Sequence, residues 1–167
     1  MTIAMRFTVS EYDRMIEQGI FDDRPNTRFE LIHGEVREMS PPGPSHDYVI
    51  DLLMYWSFDN APRDKVHFRI QNSLGVPVFD SVPMPDVAWL RARSYREHRP
   101  EPRVVLLLIE VSDSSLSSDR REKAALYAGA GIKDYWIVNL NGFCVEVHRR
   151  PKNGEYQLIE SFGIGQT

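Results

Sequence analysis

The sequence predicts a single α/β domain, a mixed central sheet with helices on its faces, and three observations carry that prediction. Residues 104–111 form a nearly unbroken β-branched and leucine-rich run, the pattern of a strand covered on both faces and therefore central. Two helix-period stretches, 45–58 and 118–130, alternate with strand-like runs. Asn141-Gly142, between the strand-like segments 134–140 and 143–149, is the strongest two-residue hairpin signal available.

The remaining elements follow in order. Thr8 and Glu11 have the spacing of a capping box for a helix over 9–18, and Gly19 stops it. Phe29 and Leu31, then Val36 and Met39, make two strands around a tight turn at His33-Gly34, with Gly34 supplying a positive φ. Pro41, Pro42, Gly43 and Pro44 break the chain. Ser45 then caps the second helix, in which Val49, Leu52, Leu53 and Trp56 recur at spacings of three and four. Residues 66–71 alternate as a strand, and 76–79 suggest a shorter one. Pro83 and Pro85 mark an irregular approach to a strand over 86–90. After 104–111 a serine-rich loop leads to the helix over 118–130, ended by Gly131, and 155–160 add an edge strand. There is no internal repeat and no low-complexity segment.

Composition bounds the function. The 167 residues suit one domain over 1–167, with tails at 1–6 and 163–167. A chain of this length buries roughly 70% of its unfolded surface, enough for a core without disulfides. Hydrophobic residues at 42% and charged residues at 26% are ordinary for a soluble globular protein. No apolar run approaches the ~20 residues of a membrane span. Arg6, Glu11 and Asp13 without a long apolar run argue against a secretory signal, so the cytoplasm is the expected compartment. A lone cysteine, Cys144, excludes an internal disulfide and a cysteine-built zinc site. The net charge of −4 argues against binding nucleic acid through bulk charge, so any such contact needs a local basic patch.

Three residues stand out chemically. Glu110 is the only charge within 104–111, and an ionised carboxylate in an apolar setting costs several kcal/mol unless it is paired or metal-bound. The plain alternative is a strand tip facing water. By period two, Glu110 shares a face with Leu106 and Leu108, an awkward place for a carboxylate unless a site opens there. Asp86 follows Pro85 and opens a strand; alone it reads equally well as a turn aspartate. Asp119, Lys123 and Tyr127 are spaced by four on one helix face, where an exposed Asp–Lys pair would be worth only a few tenths of a kcal/mol. That helix starts close enough after Glu110 to fold back over the strand end and aim Lys123 at the same space. Two carboxylates on adjacent strand ends suit Mg²⁺, a hard cation that prefers oxygen ligands. With a lysine to orient water or stabilise phosphoryl charge, they form a minimal kit for phosphodiester hydrolysis.

The stretch IEVSDSSLSSDRREKAALYAGAGIKDYWIVNLNGFCVEVHRR resembles the Uma-type endonuclease family of the PD-(D/E)XK nuclease superfamily. RFELIHGEVREMSPPGPSHDYVIDLL and MPDVAWL resemble its two upstream blocks, in order and at similar separations, so the resemblance spans residues 7–162. It implies a restriction-endonuclease-like fold, DNA as substrate and Mg²⁺ as cofactor, with Mn²⁺ as a substitute. The Pro-Asp of the superfamily motif falls on Pro85-Asp86 and the second acidic ligand on Glu110. The textual motif would put its lysine at 112, which here is Ser112; as in Uma-type relatives the lysine is displaced, to Lys123. The resemblance adds Glu30 as the upstream glutamate that completes the metal site and His46 as an auxiliary residue opening the second helix. An acidic residue usual before the hairpin glycine is here His33, which would retune an auxiliary contact. By period two Glu30 shares a face with Arg28 and Ile32, while Phe29 and Leu31 face the core, so an exposed hairpin glutamate is its plain alternative.

Other signals are weaker. Cys144 and His148 lie about 13 Å apart along a strand, too far for a dyad. Gly129-Ala-Gly131 sits at a helix end and not between a strand and a helix, the five histidines lack HExxH spacing, and 112–118 lacks a nucleophile elbow. Arg91, Arg93, Arg96, Arg99 and Arg103, with Arg120 and Arg121 nearer the site, could grip phosphates, although an ordinary solvated loop explains the first group as well. Two rival readings stay open: a non-catalytic DNA- or protein-binding module of the same fold, and a dimerising scaffold built on the Asn141-Gly142 hairpin and the edge strand after it, giving a homodimer.

Overall fold

The computed structural model describes residues 4–166. Helix α1 (Val9–Glu17) starts with the expected capping box: Thr8 Oγ1 accepts from the Glu11 N–H at 3.2 Å, and the Glu11 carboxylate accepts from the Thr8 N–H at 2.8 Å. Strands β1 (Arg28–Ile32) and β2 (Glu35–Met39) pair as an isolated hairpin closed by Ile32 opposite Glu35. Both turn residues are left-handed, His33 at φ 50° as well as Gly34 at 79°, so the non-glycine position shares the turn's strain. Arg6, in the expected N-terminal tail, is engaged here, donating to the His33 carbonyl and pairing with Glu35.

The hairpin departs from the sequence reading, because both of its faces are covered. Leu31 packs against Tyr12 of α1 and Val82, whereas Ile32, on the Glu30 face, enters the main core. Glu30 is therefore buried, not an exposed hairpin glutamate.

Helix α2 (Pro44–Asn60) is capped by Gly43, not Ser45. Pro44 takes the first helical position, where its missing N–H costs nothing and its fixed φ favours the turn. The main sheet runs β3 (Val66–Ile70), β4 (Val87–Arg91), β5 (Val105–Ser112), β6 (Asp134–Asn139), β7 (Cys144–Lys152) and β8 (Glu155–Gly163), in that spatial order. Only β5 and β6 are parallel; the other neighbours are antiparallel. The crossover between the parallel pair is a continuous helical stretch: α3 (Leu116–Ser118), a π-helical turn (Asp119–Lys123) and α4 (Ala124–Gly129).

Strand β5 is central and covered on both sides, as its composition requires. Leu108 packs with Ala88, Leu90, Leu126, Tyr127 and Ile137 beneath the crossover helix. Leu107, Ile109 and Val111 face α2 with Ile50, where Trp56 stacks on Trp89 at 5.1 Å. Leu108 and Ile109 are both fully buried, each worth about 1.5–3 kcal/mol.

Two local expectations are altered by hydrogen bonding: the short strand at 76–79 does not form, and the β6–β7 hairpin forms with a longer turn than Asn141-Gly142 alone. Residues 76–79 hold a 3₁₀ turn (Pro77–Phe79), because Pro77 cannot donate to a ladder and only Val76 bridges to Ser81. Asn141-Gly142 lies within a four-residue turn that joins Asn139 to its partner Cys144. Gly142 donates its N–H to Asn139 Oδ1 at 2.8 Å, and a Cβ there would stand 2.7 Å from Asn139 Nδ2. Glycine is thus needed for close approach, not for a positive φ. The two-residue turn is instead Asn153-Gly154, both left-handed, with Lys152 opposite Glu155; β8 runs on to Gly163, into the expected C-terminal tail. Among the described residues, no helix is long and apolar enough to cross a membrane.

Candidate active site

The antiparallel register that sets Val87 opposite Ile109 brings Asp86 beside Glu110, so the two carboxylates come from adjacent strands. Both line a cleft of about 570 Å³ with Glu30, His46, Asp119 and Lys123. Its walls are the start of the hairpin, the 40–46 segment and the serine-rich loop after β5.

Asp86 is held by three donors. Its Oδ2 accepts from the Val111 N–H at 2.9 Å and lies 3.2 Å from His46 Nε2, while Oδ1 accepts from Gln71 Nε2 at 3.1 Å. Burial alone would push its carboxyl up; the hydrogen bonds from His46, Val111 and Gln71, with the His46 charge, outweigh it and hold the group below the usual range. The same contact raises the pKa of His46. His46 therefore serves Asp86, a role its place at the start of α2 makes geometrically direct.

Glu110 is 3% exposed, so the water-facing strand tip is excluded. Its Oε1 accepts from Lys123 Nζ at 3.1 Å and from the Tyr127 hydroxyl at 2.8 Å. Burial outweighs the pull of Lys123 and, with Asp86 and Asp119 adding to the rise, leaves its carboxyl raised to about 8. Lys123 Nζ also lies 3.7 Å from Glu30 and 3.9 Å from Asp119, and these three carboxylates overcome burial to keep the ammonium charged. The Asp119–Lys123–Tyr127 face predicted from the spacing is real, but it points into the protein and not to water.

Asp119 is the centre of a second cradle. Its Oδ2 accepts from Ser112 Oγ at 2.7 Å and Ser115 Oγ at 2.6 Å, and the Tyr135 hydroxyl donates to its carbonyl at 3.1 Å. Ser112, where the textual motif expects lysine, thus braces the π turn that carries the displaced lysine. Such turns are frequent at functional sites.

Several of the arginines considered for phosphate contact are not among the residues lining this cleft. Arg96 and Arg99 line a separate cleft of about 530 Å³ that shares no lining residue with the site. Arg99 pairs with Asp13, Arg103 with Glu101, and Arg120 forks onto Glu146 at 2.5–3.2 Å. Arg121 bonds to Ser117. The arginine that does line the candidate site is Arg28, two residues before Glu30 on its face, and among the described residues no carboxylate pairs with it. Sequence reasoning passed over Arg28, Gln71, Asp119 and Tyr127 as site residues. Spacing pointed to Asp119, Tyr127 and Arg28; nothing local points to Gln71, which reaches Asp86 from the far end of β3. His33 lies at the hairpin turn outside the cleft lining.

The donor chemistry fits a hard divalent cation: every acidic ligand is a carboxylate oxygen, and Glu30 Oε2 is buried with no hydrogen-bond partner. Among the described residues, no three His, Cys, Asp or Glu side chains are gathered closely enough to hold a metal ion as they stand. The Lys123 ammonium sits among these carboxylates instead.

Comparison with known proteins agrees with this architecture. A solved structure described as a "putative nuclease belonging to DUF820", from Anabaena variabilis ATCC 29413, superposes with a TM-score of 0.64 at 15% identity, covering 93% of this chain and 84% of that one. At that identity the likeness speaks for the fold. No relative among curated proteins matches. The model of the Uma2 family, described as "Putative restriction endonuclease", matches residues 9–167, and with nearly the whole sequence inside that match the chain belongs to this family.

Proposed function

We propose that the protein is a Mg²⁺-dependent endonuclease that hydrolyses DNA phosphodiester bonds, with Mn²⁺ able to substitute. One observation carries the reading: Asp86 and Glu110 converge from adjacent strands on one cleft, with Lys123 set between Glu110 and Glu30. Family membership supports nuclease chemistry, and the DUF820 likeness agrees with it.

Asp86 and Glu110 would hold the ion, and Glu30 Oε2, which has no hydrogen-bond partner and the Lys123 ammonium at 3.7 Å, would complete its shell. When bound, Mg²⁺ supplies Lewis acidity at a phosphoryl oxygen and acidifies water. The other steps belong to the chain. His46 and Gln71 fix the Asp86 carboxylate, and Tyr127 fixes that of Glu110. Lys123 orients the attacking water and donates to charge building on the phosphoryl group, which requires it to leave Glu110. Arg28, in the lining of the cleft, suits a flanking phosphate through its planar fork.

The test is plasmid nicking with Mg²⁺ or Mn²⁺ beside Asp86→Asn and Lys123→Ala, together with a Mn²⁺ titration. The parent nicks only with metal, D86N loses both binding and nicking, and K123A binds metal without nicking. Equal nicking by parent and K123A overturns the assignment. The second reading, a non-catalytic module of the same fold, draws on the ion pairs that already occupy Lys123. It predicts DNA binding with no metal uptake.

A further inference from the structure

We infer that Arg37 is a positioning residue: through Glu122 it holds the β1–β2 hairpin so that Glu30 faces Lys123. The inference rests on Glu30 being part of the site proposed above.

The hairpin is not part of the main sheet. Its backbone bonds to the rest of the protein cluster at the turn end. Leu31 and Val82 exchange N–H···O bonds at 3.3 and 2.7 Å, and Gly34 donates to the Asp80 carbonyl at 2.8 Å. Among the described residues, 28–30 and 35–39 make no backbone-to-backbone hydrogen bond outside the hairpin. Glu30 is in the central pair of the hairpin, between Leu31 and Phe29, whose carbonyl accepts from the Tyr12 hydroxyl at 3.0 Å; its backbone is thus anchored on both sides, and a carboxylate serving a shared cation needs its own face held as well.

Side chains supply what the backbone does not. Glu30 and Arg37 are cross-strand partners and so share one face of the hairpin. Glu122 and Lys123 are consecutive on the π turn. Arg37 forks onto Glu122, Nη1 to Oε2 at 2.6 Å and Nη2 to Oε1 at 2.9 Å, while Lys123 reaches Glu30 at 3.7 Å. Two neighbouring residues of the hairpin thus meet two neighbouring residues of the turn with reversed charges. Slipping β1 by one residue would turn Glu30 to the opposite face of the hairpin and put Phe29 or Leu31 opposite Arg37, so the Glu30–Lys123 pair exists only in this register. The bidentate pair is the tighter of the two and is directional; Glu35, bonded to Arg37 at 2.8 Å, keeps its guanidinium aimed.

The experiment compares the parent with Arg37→Met, Glu122→Gln, the double variant and Arg37→Lys. Two readouts are taken: amide hydrogen exchange at residues 28–32, and the Mn²⁺ concentration at half-saturation. Both single variants exchange about tenfold faster at 28–32 and need about tenfold more Mn²⁺. The double variant is no worse than R37M, because without Arg37 the Glu122 carboxylate has no hairpin partner left to lose. R37K, with charge but no fork, falls between. Unchanged exchange in R37M, or additive losses in the double variant, overturns the inference. A parent that takes up no Mn²⁺ refutes the metal site instead, and the exchange rates alone then decide whether Arg37 holds the hairpin.

Discussion

Replacing Asp119 with alanine tests whether the π turn is held by its own cradle. Asp119 is 2% exposed and Ser112 is fully buried. One carboxylate oxygen receives both seryl hydroxyls, at 2.7 and 2.6 Å, and Lys123 lies 3.9 Å away. A hydrogen bond to a charged group contributes about 1.5–3 kcal/mol, and the loss leaves the buried Ser112 hydroxyl without an acceptor. The lower half of that range suits the partly exposed Ser115 side, so Asp119→Ala should cost about 3–4 kcal/mol. In a protein of this size each kcal/mol lowers Tm by about 2–4 °C, giving a fall on the order of 10 °C. Ser112→Ala should cost only about 1 kcal/mol, since the carboxylate keeps Ser115 and Lys123. In the double variant the serine then has nothing left to lose, so the two losses should fall short of additive by about 1 kcal/mol. Urea unfolding of the four proteins reads all of these values. A D119A midpoint within 1 kcal/mol of the parent, or strict additivity, would refute the cradle.

Three further outcomes follow from particular contacts. His148 is 3% exposed between Tyr135 and Tyr156, and burial holds its pKa below the ordinary 6.5 against the pull of Glu146. Above that value both folded and unfolded chains carry neutral imidazole; below it the unfolded chain protonates first, so stability is lost as pH drops, and the parent's advantage over His148→Phe should shrink from pH 7 to 5 in parallel urea titrations. Arg28→Ala should weaken DNA binding about equally for all sequences and reduce the magnitude of the salt slope by about 1, read by fluorescence anisotropy; an unchanged slope removes Arg28 from the phosphate contacts. Gly154→Ala meets no atom within 4 Å but must hold φ near 79°, so it should cost about 1 kcal/mol in thermal unfolding through backbone strain alone.

Much of the scaffold was legible from local pattern. The 104–111 run gave a central strand because both faces of β5 need apolar side chains. The capping box of α1 appeared as read because its groups are three residues apart and no tertiary partner competes for them. Errors came where two local signals compete. Of the two Asn-Gly pairs, only 153–154 forms the tight turn; at 141–142 the Asn139 side chain captures the Gly142 N–H and opens a longer loop. Ser45 reads as a cap, but Pro44 fits the first helical position and moves the cap to Gly43.

The site divides along the same line. The identities of Asp86, Glu110 and Lys123, and the four-residue rhythm that puts Asp119, Lys123 and Tyr127 on one face, are properties of the chain itself. Whether that face met water or carboxylates depended on β5 ending beneath the π turn, a juxtaposition no sequence spacing encodes. Strand periodicity left Glu30 open between a site residue and an exposed hairpin glutamate, because alternation assumes one wet face, whereas at Glu30 to Ile32 both faces are buried. Likewise Gln71, Ser112 and the Arg37–Glu122 pair acquire their roles through partners that lie 7 to 85 residues away. Local composition settles which segments are strand or helix, because those energies act within a few residues. Packing alone settles which charges share a pocket, because burial and Coulomb interactions depend on distance in space and not along the chain.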